Sequence, residues 1–104
     1  MAVYAVFTYD ILDPERYAQY APGSMPILVA TLAKHGGEIT FADPNATYDE
    51  GEKKHMSVCI KFPSAEAVHA WENDPEYAPA KAHRVASTGN YTVFIAQAFQ
   101  PPPG

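Results

Sequence analysis

At 104 residues and 47% hydrophobic, the chain fits one compact domain, and a domain this small buries only about two-thirds of its unfolded surface, so pairing with a second subunit would stabilise it. The formal net charge of -5, with Lys53-Lys54 as the one basic doublet, argues against a nucleic-acid or anionic-membrane surface, since both demand clustered Lys and Arg. The single cysteine, Cys59, excludes an intrachain disulfide. With no basic region before Val3 and no apolar run approaching the ~18 residues of a membrane span, a cytoplasmic location is expected.

Val3 to Tyr9 is rich in aromatic and β-branched residues and reads as a first strand, with Val3, Ala5, Phe7 and Tyr9 on one face and Tyr4, Val6 and Thr8 on the other. Asp13 is placed to cap a helix that has Pro14 at its first position and Glu15 in its first turn. Pro22-Gly23 and Pro26 interrupt that helix. A restart around Ser24, ending at His35 with Gly36 as a left-handed cap, is the simplest reading.

Glu38 to Ala42 alternates, with Ile39 and Phe41 expected on one face, and Asp43 to Lys54 follows as a polar loop. Met56, Val58, Ile60 and Phe62 share one face of a third strand, leaving Ser57, Cys59 and Lys61 on the other. Ser64 caps the next helix, whose Ala67, Val68 and Trp71 lie at helical spacing. Asp74-Pro75 ends it, and Tyr77 to Ser87 forms a second helical piece whose start is delayed by Pro79. Gly89-Asn90 turns the chain into a last strand, Tyr91 to Ala98.

This order predicts an α+β, ferredoxin-like β-α-β-β-α-β domain over residues 1–98, followed by a Pro-rich tail at 99–104. A four-stranded antiparallel sheet of this kind carries its helices on one face. Every strand places apolar or aromatic groups on both faces, so something else must cover the second. An identical sheet is the economical partner, giving a homodimer.

Few side chains here suggest chemistry. His35, at a helix end, reads either as a C-terminal capping side chain or as a proton-transfer group at the mouth of a pocket between helix and sheet. Arg84 shares a helical face with Tyr77 and Lys81. Its fork suits a ligand carboxylate or an ion pair with Glu50, Glu76 or another acidic residue. Tyr4, Tyr17, Tyr20, Tyr77, Tyr91 and Trp71 supply aromatic area, as core or as pocket walls, and buried hydroxyls among the seven tyrosines need partners. The four histidines lack metal-site spacing, no phosphate-binding glycine loop or nucleophile elbow is present, and Cys59 reads as a buried, inert thiol.

Asp13-Pro14-Glu15-Arg16-Tyr17, His35-Gly36-Gly37, Glu50-Gly51, Phe62-Pro63-Ser64, Trp71, Pro75-Glu76-Tyr77 and Arg84 occur in an order and spacing that carry a resemblance over Val3 to about Ala96. Together they resemble an uncharacterised family, a domain of unknown function of this chain's length, within the dimeric α/β-barrel superfamily. The chain departs from that pattern at Glu38, His55, Lys61 and Glu72, where members usually carry a basic residue, Arg, an acidic residue and Tyr. The resemblance implies a dimeric α/β barrel. Related branches include cofactor-independent monooxygenases, cyclases, isomerases, lyases and haem-handling proteins, so the fold alone does not choose a reaction. The expectation is a small-molecule enzyme of isomerase, cyclase or lyase type that acts on a small organic acid or carbonyl compound without metal or cofactor. His35 would be its proton-transfer group, Arg84 its anion anchor, and Tyr4, Tyr17, Trp71 and Glu50 further ligand-binding side chains. The alternatives are a non-catalytic small-molecule-binding or stress-related dimeric module, and a haem-handling or monooxygenase-like protein.

Overall fold

A computed structural model of the chain describes residues 2–103. Met1 and Gly104, at the ends of the expected domain and tail, lie outside the described residues. The elements run β1 (Val3–Ile11), α1 (Pro14–Tyr20), α2 (Met25–Lys34), β2 (Glu38–Asp43), β3 (Met56–Phe62), α3 (Ala65–Glu72), α4 (Ala78–Ser87) and β4 (Thr88–Gln97). The strands form one antiparallel sheet in the order β2-β3-β1-β4, the ferredoxin-like arrangement.

Local chemistry sets the helix ends. Asp13 Oδ1 accepts from the Arg16 amide at 3.1 Å, with Pro14 opening α1, and Ser64 Oγ accepts from the Ala67 amide at 3.1 Å to start α3. At the end of α2 the Gly37 amide donates to the Leu32 carbonyl at 2.7 Å, and Gly36 takes φ 74°, a conformation glycine adopts without Cβ strain. The α3–α4 break falls at Pro75 as expected, and α4 begins one residue after Tyr77.

The core lies between the helices and one sheet face. Val3, Ala5, Phe7 and Tyr9 of β1 and Ile60 and Phe62 of β3 meet Leu28 and Leu32 of α2, Val68 and Trp71 of α3 and Ala80 of α4. Trp71 is the centrepiece. Its ring stacks on Tyr77 with centroids 4.2 Å apart and meets Phe7 edge-on at 6.3 Å, while its Nε1 donates to Thr31 Oγ1 at 3.0 Å. Thr31 passes its own proton to the Ile27 carbonyl at 2.7 Å, so the buried indole and hydroxyl are both satisfied.

Two details depart from strict alternation. Ile39 pairs with Ile60 but Phe41 pairs with Cys59, because the β2 register shifts between them. The extra residue, Thr40, turns Ile39 toward the helix side and Phe41 toward the open side, whereas the sequence pattern puts both on one face. Likewise β4 starts at Thr88, ahead of the expected Tyr91. Gly89-Asn90 makes no separating turn; it is taken into the strand beside a register shift between Thr8 and Asp10, with Asn90 at φ 49° and its Nδ2 donating to Asp10 Oδ2 at 3.1 Å.

The face turned away from the helices is apolar in patches. Val6 and Phe94 are cross-strand partners there, and Phe41 lies on the same side; Phe94 is 51% and Phe41 47% exposed. Cys59 is buried on this face, which pushes its thiol pKa up, as an inert thiol requires. Beyond β4 the Ala98 amide still donates to the Ala2 carbonyl, but Phe99 is 86% exposed, and residues 98–103 form neither helix nor strand.

Candidate functional site

The charged interior of the domain is built around Arg84. Helix α4 is amphipathic, and its inward face carries Ala80, Arg84 and Ser87. Arg84 is only 6% exposed. Its guanidinium lies 5.3 Å from the Tyr91 ring centroid and 5.6 Å from that of Phe7, so two aromatic faces meet its charge. Nη1 and Nη2 donate to Glu72 Oε1 and Oε2, each at 3.3 Å, a bidentate pair with long contacts. Lys81, one turn earlier on α4, places Nζ 3.1 Å from Glu72 Oε2 and donates to the Glu72 backbone carbonyl at 3.0 Å.

Tyrosines surround this group. The hydroxyls of Tyr9 and Tyr17 are hydrogen-bonded at 2.7 Å and those of Tyr20 and Tyr77 at 3.0 Å, while Tyr91 stacks on Tyr9 at 5.0 Å. Burial pushes all five phenols up from their ordinary pKa, so they are neutral hydrogen-bonding groups at physiological pH. Among the described residues, two buried side-chain atoms have no hydrogen-bond partner: Arg84 Nε and the Tyr91 hydroxyl. Both belong to this cluster.

Arg84 borders two spaces. Beneath it is a small, partly open cavity of about 20 Å³, lined by Phe7, Tyr9, Tyr20, Trp71 and Arg84 among others, with room for about one water. Beside it an open cleft of about 410 Å³ is lined by Glu72, Lys81, Arg84, Val85, Thr88 and Tyr91, at the size expected of a small-molecule site. This cleft runs between α4 and the edge strand β4.

The residues singled out from sequence do not all converge here. Arg84 is central, Trp71 walls the inner cavity, and Tyr17 joins through the Tyr9 hydroxyl. Tyr4 pairs with Lys61 and Ala96 and points to the sheet face opposite Arg84. Glu50 is exposed in the β2–β3 loop; the carboxylate that meets Arg84 is Glu72. His35 lines neither space. Its Nε2 lies 2.7 Å from Asp74 Oδ2, and because an ionised carboxylate only accepts, Nε2 carries the proton. Lys34 Nζ reaches the same Oδ2 at 3.0 Å, so the end of α2 is clamped to the α3–α4 turn. Sequence spacing passed over Glu72, since twelve positions across a proline-broken helix pair make no helical neighbour. Its only trace was a charge where the resembled family usually carries Tyr.

A model of a family described as "Domain of unknown function (DUF1330)" matches residues 2–98. The chain belongs to this family. Among solved structures, a protein of unknown function from Rhodopseudomonas palustris superposes on this DUF1330 chain with a TM-score of 0.75 at 18% identity, covering 96% of this chain and 84% of the other. A dimeric ferredoxin-like protein of unknown function from Jannaschia sp. CCS1 also gives 0.75 at 18% identity, over 94% and 100% of the two chains. A dimeric protein of unknown function with a ferredoxin-like fold from Bacteroides fragilis NCTC 9343 gives 0.63 at 14%, over 93% and 96%. These likenesses establish the fold. No curated protein matches the chain. Among the described residues, no helix is long and apolar enough to cross a membrane, and no three metal-binding side chains converge.

Three outcomes follow from the ion pairs. The His35 hydrogen bond, then the Glu76 amide and Lys34, hold the Asp74 carboxyl well below the usual carboxylate range. A depressed folded pKa gives stability that is present above the unfolded value and lost as pH falls toward the folded one. In urea titrations, wild type should therefore exceed Asp74→Asn by a steady margin near neutrality, and the margin should shrink below pH ~4. A margin that persists to the acid end would contradict the assignment. Arg84→Ala should cost about 3 kcal/mol, from a broken buried pair and lost packing on Phe7 and Tyr91. Lys81→Ala, in a pair partly open to solvent, should cost under about 1 kcal/mol in the same measurement.

Proposed function

We propose that this protein is a homodimer, sheet packed on sheet, that binds a small organic acid or carbonyl compound in the cleft between α4 and β4. The observation that carries the ligand site is the pair of buried donors without partners, Arg84 Nε and the Tyr91 hydroxyl, on two residues that line one cleft. An unpartnered buried donor costs about 1–3 kcal/mol, a penalty that a ligand oxygen relieves. Support for the dimer comes from Phe41, Val6 and Phe94 on the helix-free face, and from the dimeric ferredoxin-like proteins of Jannaschia and Bacteroides fragilis.

A cationic fork beside a neutral phenol suits charge that develops on a carbonyl oxygen. Burial keeps Tyr91 protonated, so it remains a donor while that charge grows. Moving a proton at the adjacent carbon, the step shared by isomerases and many lyases, then needs a base in the same cleft. Glu72 is the carboxylate that lines it. His35, bonded to Asp74, is better used as a clamp than as the proton-transfer group. A non-catalytic binding module is the second reading, favoured by the Arg84 fork being closed on Glu72.

Light scattering at micromolar concentration should give a mass near twice 11.4 kDa, and a monomer would remove the dimer. A thermal-shift screen of small organic acids and carbonyl compounds should give hits that Val85→Trp abolishes by filling the cleft. If no hit is sensitive to that substitution, the site is elsewhere. Proton NMR of each hit in deuterated buffer separates the two readings: accelerated exchange at the carbon beside the carbonyl marks catalysis, and unchanged exchange marks binding alone.

A further inference from the structure

We infer that Glu72 is a built-in occupant of the anion site in the Arg84 cleft, and that the natural ligand is a monocarboxylate that displaces the Glu72 side chain onto Lys81. This rests on the ligand-binding reading above and narrows it to one chemical class.

Charge balance is the first argument. Arg84 and Lys81 bring two positive charges to the cleft, and Glu72 is the one carboxylate lining it. The tyrosines on the cluster are neutral, so one positive charge is left over beside a guanidinium withdrawn from water. One further carboxylate balances the site. A neutral carbonyl compound leaves the excess in place, and a dicarboxylate overfills it.

Geometry supplies the second argument. Both Arg84–Glu72 contacts are 3.3 Å, longer than the roughly 2.7–2.9 Å of a tight charge-assisted hydrogen bond. Lys81 Nζ already stands 3.1 Å from Glu72 Oε2. The carboxylate can therefore rotate from the fork to the ammonium without ever losing an ionic contact, while the Lys81 bond to the Glu72 carbonyl holds its backbone in place. Once released, the Nη1–Nη2 edge of the planar fork is open to an incoming carboxylate, while Arg84 Nε and the Tyr91 hydroxyl remain as donors without protein partners beside it. Val85 and the Tyr91 ring offer apolar surface for the body of the ligand.

The occupant also explains how a buried cation is tolerated in the empty protein. Glu72 stands in for the ligand, which lowers affinity in exchange for a folded free state. Affinity for a carboxylate is set by the difference between two competing anions at one fork.

Benzoate and its neutral isostere benzamide are the probes, followed by isothermal titration on wild type, Glu72→Gln and Lys81→Gln. Removing the internal competitor should tighten benzoate by roughly tenfold or more and leave benzamide unchanged, the difference expected when an anion meets an uncompensated cation. Removing the ammonium that receives Glu72 should weaken benzoate by about fivefold or more, in a protein whose fold depends little on that partly solvated pair. Glu72→Gln protein that binds benzoate no better than wild type overturns the inference, and so does equal tightening of benzamide. Should Glu72→Gln fail to fold, Lys81→Gln decides alone: unchanged or tighter benzoate binding overturns it. Either failure, with a screen hit that Val85→Trp still abolishes, removes the displacement and leaves the binding cleft standing. Absence of any such hit removes the reading beneath it.

Discussion

A guanidinium withdrawn from water in a domain of this size is the constraint around which the interior is arranged. Taking that charge out of solvent costs several kcal/mol unless opposite charge, dipoles and polarisable faces meet it. Each of these is present in a different element: Glu72 at the end of α3, the Tyr91 ring on β4, and the Phe7 ring on β1. Arg84 thereby ties α4 to both central and edge strands. The two tyrosine pairs around it follow from the same need, since a buried hydroxyl left without a hydrogen bond is costly; Tyr91 carries the one hydroxyl of the five that is left open.

A second polar tie governs the other end of the helix layer. Asp74 terminates α3 and is held by His35 and Lys34 from the last turn of α2, while its Oδ1 accepts from the Glu76 amide. With the Trp71–Thr31 bond a few residues away, α2 and the α3–α4 corner are joined by directional contacts as well as by apolar packing. The corner that Asp74 fixes sets where α4 starts, and so where Arg84 enters the interior. Clamp and cluster are thus separate in chemistry but linked through the position of one helix.

The open sheet face is shaped by a single irregularity. Without the register shift at Thr40, Phe41 would sit on the helix side and the outer face of β2 would lose its aromatic group. With it, Phe41 and Phe94 stand on the same face of the sheet, on strands at opposite edges. A face flanked by two half-exposed rings with Val6 between them is an apolar surface of the kind that partners cover.

Much of this was written in the sequence. Period-two alternation in β1 and β3, the caps at Asp13 and Ser64, the glycine after His35 and the proline after Asp74 each act over a few residues, so the element order and the ferredoxin-like fold were legible in the sequence. The recurrence of Arg84, Tyr77 and Lys81 on one helical face was legible for the same reason. What tertiary structure decided was which distant groups meet. The pairing of Arg84 with Glu72 and the placing of His35 against Asp74 depend on how helices cross a sheet, as does the removal of Tyr4 and Glu50 from the cluster. No local spacing encodes that crossing. The bulges at Thr40 and Asn90 belong to the same class, because a register is chosen by the partner strand and not by the strand that carries the extra residue.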